Sequence, residues 1–281
     1  MNDHCITSTE IQAFCRHLQE DERSSGTIEN YLRHVREFAL WLGDQEVSKE
    51  RAAAWKEHLL SKNYCPGTIN SMVVSINRFF DFMGWREYRV KTLRLQRRLF
   101  RDDNKELTRG EYNRLLHTAK TLGQERLVLL METICGTGIR VSEVKYITVE
   151  ALNQGRAEIS LKGKIRTILI PGKLRKKLLQ YAKKQKTVSG EIFLTRNGTS
   201  LSRKQIWAQM KALCSKAGVA ASKVFPHNLR HLFARIFYKV CPDVAKLADV
   251  LGHSSMETTR IYLISTGAEH AYTLERLRLV L

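Results

Sequence analysis

Three stretches of this 281-residue sequence carry side chains whose types and spacing suit work on a phosphate. Arg140 follows Gly136-Thr137-Gly138, just past a predicted helix end, and a new helix is expected to begin at Ser142-Glu143. His227 and Arg230 are three residues apart, which sets them on one face of a helix. In Leu251-Gly252-His253 the glycine is suited to ending a helix, and Tyr262 follows His253 by nine residues. Cleaving a phosphodiester without a metal requires cations or fixed donors on the non-bridging oxygens, a nucleophile, and an acid for the leaving oxygen. Arginine suits the first role because its planar fork grips phosphate bidentately and stays protonated. A free tyrosine has a pKa near ~10, so only about one part in a thousand is ionised at pH 7. Clustered cations favour the phenolate and the transition-state oxyanion together.

Other chemistries fail on the residues. Gly136-Thr137-Gly138 lacks the third glycine and the preceding strand of a dinucleotide fingerprint. Gly163-Lys164 is followed by Ile165, so it is not a phosphate-binding P-loop. His227 and His231 have zinc-protease spacing, but the position of the catalytic Glu holds Asn228, and Arg230 would put a cation beside the metal. Six cysteines, at 5, 15, 65, 135, 214 and 241, make no Cys-x-x-Cys pair and are expected mostly as small buried hydrophobes. No metal and no cofactor is expected.

Composition agrees with a phosphate-bearing partner. The net charge is +19, with 47 Lys+Arg against 28 Asp+Glu, which points to a polyanion and first to nucleic acid. The charge is uneven: residues 1–100 carry +2 and the remainder +17. No window holds the roughly 18 uncharged apolar residues of a membrane span. The start, Met1-Asn2-Asp3-His4, lacks the basic and apolar regions of a signal peptide, so a cytoplasmic, nucleoid-associated protein is expected.

The elements that must position these residues read as mainly α with a small antiparallel sheet. Residues 1–84 read as a four-helix bundle. Ser8 or Thr9 is expected to cap the first helix, Ser48 the third, and Pro66 to open the fourth, which ends at Gly84. Phe79, Phe80 and Phe82 are expected in its core. Residues 85–105 carry seven Lys/Arg up to Arg101 and no apolar stripe, so they read as a basic interdomain linker, itself able to lie against phosphates. Residues 106–281 read as an α+β domain. Thr108 and Glu111 form a capping box. Residues 157–161 and 166–170 read as strands joined by a hairpin turn at 162–165. A short strand is expected at 192–195, and helices near 109–121, 124–135, 173–186, 203–217, 226–240, 243–251, 255–263 and 268–280. The lysines and arginine of 173–186 are expected on a solvated face.

The strings Gly136-Thr137-Gly138-Ile139-Arg140-Val141-Ser142-Glu143, Pro226-His227-Asn228-Leu229-Arg230-His231, and Leu251-Gly252-His253-Ser254-Ser255 leading to Thr258-Thr259-Arg260-Ile261-Tyr262 resemble, in order and spacing, the tyrosine recombinase (phage integrase) family. The resemblance covers the second domain well and extends to the first by architecture, implying a SAM-like core-binding bundle followed by a catalytic domain. It implies that Tyr262 is the nucleophile and forms a 3′-phosphotyrosyl link with a free 5′-hydroxyl. Arg140 and Arg230 would clamp the phosphate. His227 would assist proton transfer or bind the phosphate, and His253 would hydrogen-bond to it. Lys162 matches the family's hairpin lysine, the general acid for the leaving oxygen; Lys164 also faces the turn, but Lys162-Gly163 reproduces the usual start. Glu143 would support the site without touching phosphate. Asn228 departs from the usual Asp, and His231 is expected to pack on its own helix. Tyr272 is the best rival nucleophile but lacks a histidine at the right spacing upstream.

The resemblance further implies double-stranded DNA sites as substrate, a homo-tetramer on two duplexes, exchange through a Holliday junction, and an accessory directionality factor. Leu274, Leu277 and Leu281 would form the apolar stripe of a terminal helix that docks on a neighbouring protomer. The start at the bundle, without an arm-site domain, resembles the smaller Xer-like and transposon-borne members. Two other readings remain open at this point: a type IB topoisomerase, which would act as a monomer, and a non-catalytic DNA-binding regulator.

Overall fold

The computed structural model describes residues 4–95, 103–161, 164–253, 255–263, 272 and 275–277. The chain divides into two compact units, Met1–Arg97 and Arg98–Leu281.

In the first unit, α1 (Ser8–Glu20), α2 (Ser25–Leu42), α3 (Lys49–Ser61) and α4 (Pro66–Met83) surround an aromatic core. Phe14, Phe38, Trp55, Phe79 and Phe80 are all buried, with Phe14 edge-on to Phe79 and Phe38 edge-on to Trp55. Phe82 packs against this core only partly buried. The cap of α1 is Thr7, one residue before the expected position, because Glu10 reaches back to the Thr7 amide. Ser48 caps α3, Pro66 opens α4, and Gly84 closes it with φ 77°.

The stretch after α4 differs from the expected linker. Trp85 and Val90 are buried in the bundle. Asn77 pairs through both side-chain polar atoms with the amide and carbonyl of Val90, at 2.9 and 2.8 Å. Asn70, two turns earlier on α4, does the same with Leu93 at 2.7 and 2.9 Å. These contacts extend to Leu93, and residues 96–102 of the expected linker lie outside the described ones. The segment is not helical beyond the single turn Arg86–Tyr88, so its buried residues do not repeat at 3.6 and a search for a helical stripe misses them.

In the second unit, α5 (Arg109–Thr121) starts from the Thr108–Glu111 capping box and leads to α6 (Glu125–Thr137). A 3₁₀ turn (Val141–Tyr146) and α7 (Val149–Gln154), which the sequence reading did not foresee, precede the hairpin of β1 (Arg156–Leu161) and β2 (Lys164–Leu169). The strands are antiparallel, with Ala157 opposite Ile168 and Ile159 opposite Arg166. Then come α8 (Gly172–Lys184), α9 (Arg203–Lys211), α10 (Cys214–Ala217), α11 (Pro226–Val240), α12 (Val244–Leu251) and α13 (Met256–Arg260). The single helix expected at 203–217 is two, and the strand expected at 192–195 is reduced to isolated bridges at Glu191 and Leu194. Leu115, Leu130, Ile134, Leu152, Ile159 and Leu178 are among the residues that build the main core. A second cluster joins Ala234, Leu247, Leu251 and Tyr262. Of the six cysteines only Cys214 is buried; Cys65 is exposed and the others are half-buried. Among the described residues no helix is long and apolar enough to cross a membrane. Most of the terminal helix expected at 268–280, with Leu274 and Leu281, lies outside the described residues.

Candidate active site

Arg140 is delivered by the end of α6. Gly138 closes that helix at φ 67°, and a Cβ there would meet the Phe233 ring on α11 at 2.5 Å. Only glycine fits both the left-handed backbone and the close approach. Arg140 itself is extended and caps the 3₁₀ turn that replaces the expected α-helix. Its amide donates to Glu143 Oε2 at 2.7 Å and its Nη1 to Oε1 at 3.0 Å. Its Nη2 reaches the Gly252 carbonyl at 3.4 Å. Glu143 is only 1% exposed, whereas the Arg140 side chain is 42% exposed. The pair is therefore a buried carboxylate aiming an accessible guanidinium, not two solvated surface charges.

Arg230 is the centre of the site. Pro226 opens α11, so His227 and Arg230 fall one turn apart in its first two turns. Arg230 is 1% exposed. It donates to the Gly138 carbonyl, to the Leu251 carbonyl at 2.8 Å and to His253 Nε2 at 2.8 Å. Burial and the neighbouring Arg140 lower its pKa, while the Tyr262 hydroxyl, hydrogen-bonded to it, favours the charged form. Its buried Nε has no hydrogen-bond partner among the described residues.

His253 and Tyr262 come from the far side. Gly252 ends α12 at φ 63° and turns the chain so that His253 faces Arg230. A guanidinium has no acceptor, so His253 Nε2 must be the unprotonated nitrogen, and Nδ1–H donates to Thr259 Oγ1 at 2.8 Å. Burial first, then Arg230, Arg140, Arg166 and His227, push its pKa down to about 4. Tyr262 lies on a 3₁₀ turn (Ile261–Leu263) beyond α13, where a continuous helix was expected, and is buried. Its ring is stacked on His253 at 5.5 Å and lies 5.9 Å from His227. His227 is the most solvent-open of these residues. Desolvation and then repulsion from His231, Arg230 and Arg140 lower its pKa to about 4, an effect that solvent access moderates. Both histidines are neutral near pH 7 and able to take a proton.

The structure therefore brings Arg140, His227, Arg230, His253 and Tyr262 together. Lys162 and Gly163 lie outside the described residues. Lys164 begins β2 instead of sitting in the turn. The rival Tyr272 is exposed, with the Arg276 guanidinium over its ring. His231 does more than pack on its own helix: its ring lies edge-on to Tyr262 at 4.4 Å, and Nδ1 is 3.6 Å from Glu106. Asn228 is buried, and its amide nitrogen donates to the carbonyls of Lys105 and Lys223. Sequence reasoning also missed Arg166. Its Nη2 donates to Glu143 Oε2 at 2.7 Å and its Nη1 to the Leu251 carbonyl.

A buried, hydrogen-bonded arginine beside an accessible one, with two neutral histidines and a tyrosine, has the cations and hydrogen-bonding groups to hold a phosphate next to a tyrosine oxygen. Residues 105–269 match the sequence model of the phage integrase family, and residues 11–87 match the N-terminal SAM-like domain of phage integrases. The chain belongs to the phage integrase family, an enzyme class of DNA strand transferases. It is similar to tyrosine recombinase XerA of Pyrococcus furiosus, with 29% identity over 100% of this chain and 98% of that protein. Tyrosine recombinase XerD of Staphylococcus saprophyticus is 27% identical over 90% and 93% of the two chains. Among solved structures, XerH bound to its difH substrate in a pre-cleavage complex aligns with a TM-score of 0.69 at 17% identity, covering 97% of this chain and 90% of that one. A lambda integrase tetramer bound to a Holliday junction aligns with a TM-score of 0.74 at 17% identity, covering 92% and 78%. At those identities the structural likeness concerns the fold.

Proposed function

We propose that this protein is a site-specific DNA recombinase in which Tyr262 is the nucleophile. The observation that carries the assignment is the convergence of Tyr262, His253 and Arg230, from three separate stretches, in hydrogen-bond and ring contact. In the reaction, the Tyr262 oxygen attacks the scissile phosphorus and the bond to the 5′-oxygen breaks. The product is a 3′-phosphotyrosyl link. His227 takes the phenolic proton, and Lys162 supplies a proton to the leaving 5′-oxygen. Arg140 and Arg230 hold the non-bridging oxygens as charge develops on them. A 5′-hydroxyl from the partner duplex then attacks the phosphotyrosine, restores the tyrosine and completes a strand exchange. The covalent link conserves the phosphodiester, so the cycle uses no nucleotide cofactor.

The wider reading extends this chemistry. The first unit, into which the basic stretch is packed as far as Leu93, and the catalytic domain of residues 106–281 would grip duplex DNA. Four copies on two sites would exchange strands in pairs through a Holliday junction. The lambda integrase tetramer that shares the fold supports that assembly. An accessory factor would set direction, and the substrate would place the protein at the nucleoid in the cytoplasm, whether it serves a chromosome or a mobile element.

The test uses nicked suicide duplexes carrying the cognate site. The wild-type chain is expected to form a covalent protein–DNA adduct that Tyr262→Phe abolishes. An adduct that survives Tyr262→Phe removes Tyr262 from the nucleophile's role.

A further inference from the structure

We propose that Arg166 is a positioning residue that holds the arginine loop and the histidine turn of the active site in one geometry. The proposal rests on the recombinase reading above. Three observations carry it. First, Arg166 lies on the inner face of the hairpin, opposite buried Ile159, where an apolar residue would ordinarily sit. Its side chain is 15% exposed. Second, its fork is divided between two partners. One arm donates to the Glu143 carboxylate, whose other oxygen holds Arg140 Nη1. The other arm donates to the Leu251 carbonyl, which also accepts from Arg230. Third, Arg166 lies directly on Gly252, where an added Cβ would overlap its Cδ and Nη1.

The physical logic is mutual restraint. Without Arg166 the Glu143 carboxylate would be held from the Arg140 side alone, by the Arg140 amide and Nη1. With Arg166 the carboxylate is held from both sides. The same guanidinium fixes the carbonyl two residues before His253. A lysine, with a point charge and no fork, would not span both partners in one plane. Burial lowers the Arg166 pKa first, countered by Glu143, to about 10, so it remains a cation at neutral pH. Glycine at 252 is then required twice, by φ 63° and by the Arg166 side chain packed on it.

The experiment measures single-turnover adduct formation and DNA affinity for the full-length chain and for Arg166→Met, Arg166→Lys, Glu143→Gln and the double variant Arg166→Met/Glu143→Gln, with Tyr262→Phe as the reference. We expect Arg166→Met to retain affinity within about threefold and to slow cleavage about 100-fold, in the range seen when one fixed donor is lost from an active site. Arg166→Lys should recover part of that loss. The double variant should be no slower than the slower single variant, because both residues act through the same link. Losses that multiply in the double variant, or wild-type cleavage by Arg166→Met, overturn the proposal. If Arg166→Met fails to fold, the comparison of Arg166→Lys with wild type decides: unchanged cleavage by a folded Arg166→Lys overturns the requirement for a fork. No adduct with the wild-type chain would instead overturn the recombinase reading, so the two failures are distinguishable.

Discussion

His253 Nε2 accepts a hydrogen bond from Arg230 Nη2 at 2.8 Å, and this contact ties the protonation of the histidine to the occupancy of the site. While the guanidinium points at Nε2, a proton there is repelled. A phosphate that draws Arg230 away makes protonated His253 favourable, because the imidazolium can donate to the anion.

DNA binding should therefore take up protons. His253 in the free protein is held down to about 4, and a bound phosphate raises it, so affinity is expected to increase as the pH falls from 7 towards 5. Titration calorimetry in buffers of different ionisation enthalpy measures the uptake. Zero uptake with wild-type protein would contradict the contact.

The same shift makes the free protein sensitive to acid. His253 and His34 both have folded pKa values below the ordinary 6.5, and His34 is buried against Ser75. A depressed folded pKa gives stability that is present above the unfolded value and is lost as the pH falls through the folded one. Urea unfolding should show the second unit losing stability between pH 6.5 and about 4; the first unit should lose stability as the pH falls below 6.5, and His34→Gln should flatten that slope.

Arg230→Lys keeps a charge but cannot reach the Gly138 carbonyl, the Leu251 carbonyl and His253 together. Cleavage is expected to fall by about 100-fold or more, the scale of a lost transition-state donor. DNA affinity, set by the many other basic residues, should change little and retain its steep salt dependence. Filter binding and adduct assays on one preparation separate the two effects.

Gly138 and Gly218 both adopt positive φ, at 67° and 59°, but only Gly138 has a ring in the way of a side chain. Gly218→Ala should cost about 1 kcal/mol of unfolding free energy, the backbone penalty alone. Gly138→Ala should cost about 2–4 kcal/mol because the Phe233 contact is added. Equal losses would mean that α11 gives way freely.

The two asparagine ladders make residues 90–93 part of the bundle. Asn70→Ala together with Asn77→Ala should expose the peptide bonds after Arg89 and Lys91 to trypsin within minutes, under conditions where wild-type protein resists cleavage at those two bonds. Mass spectrometry of the fragments reads the outcome.

By itself the sequence determined the helical bundle, the small hairpin and the five residues that the structure then gathers in one place, because these signals are local. Helix caps at Ser48 and Thr108, glycine ends at Gly84 and Gly252, and the one-turn spacing of His227 and Arg230 all act within a few residues. Only the tertiary structure decided what Arg166 and His231 do. In Ile165-Arg166-Thr167-Ile168-Leu169 the more apolar alternate set is 165, 167 and 169, which on pattern alone belongs inside. Yet Ile165 is 77% exposed and Leu169 75%, because the register sets Arg166 opposite Ile159 and Ile168 opposite Ala157. His231 is likewise placed beside Tyr262 by the packing of α11 against the Ile261–Leu263 turn. Strand register and helix packing are long-range choices, settled by the partner across the core. A charged residue on a buried face becomes intelligible only when its carboxylate partner, 23 residues away in sequence, is seen beside it.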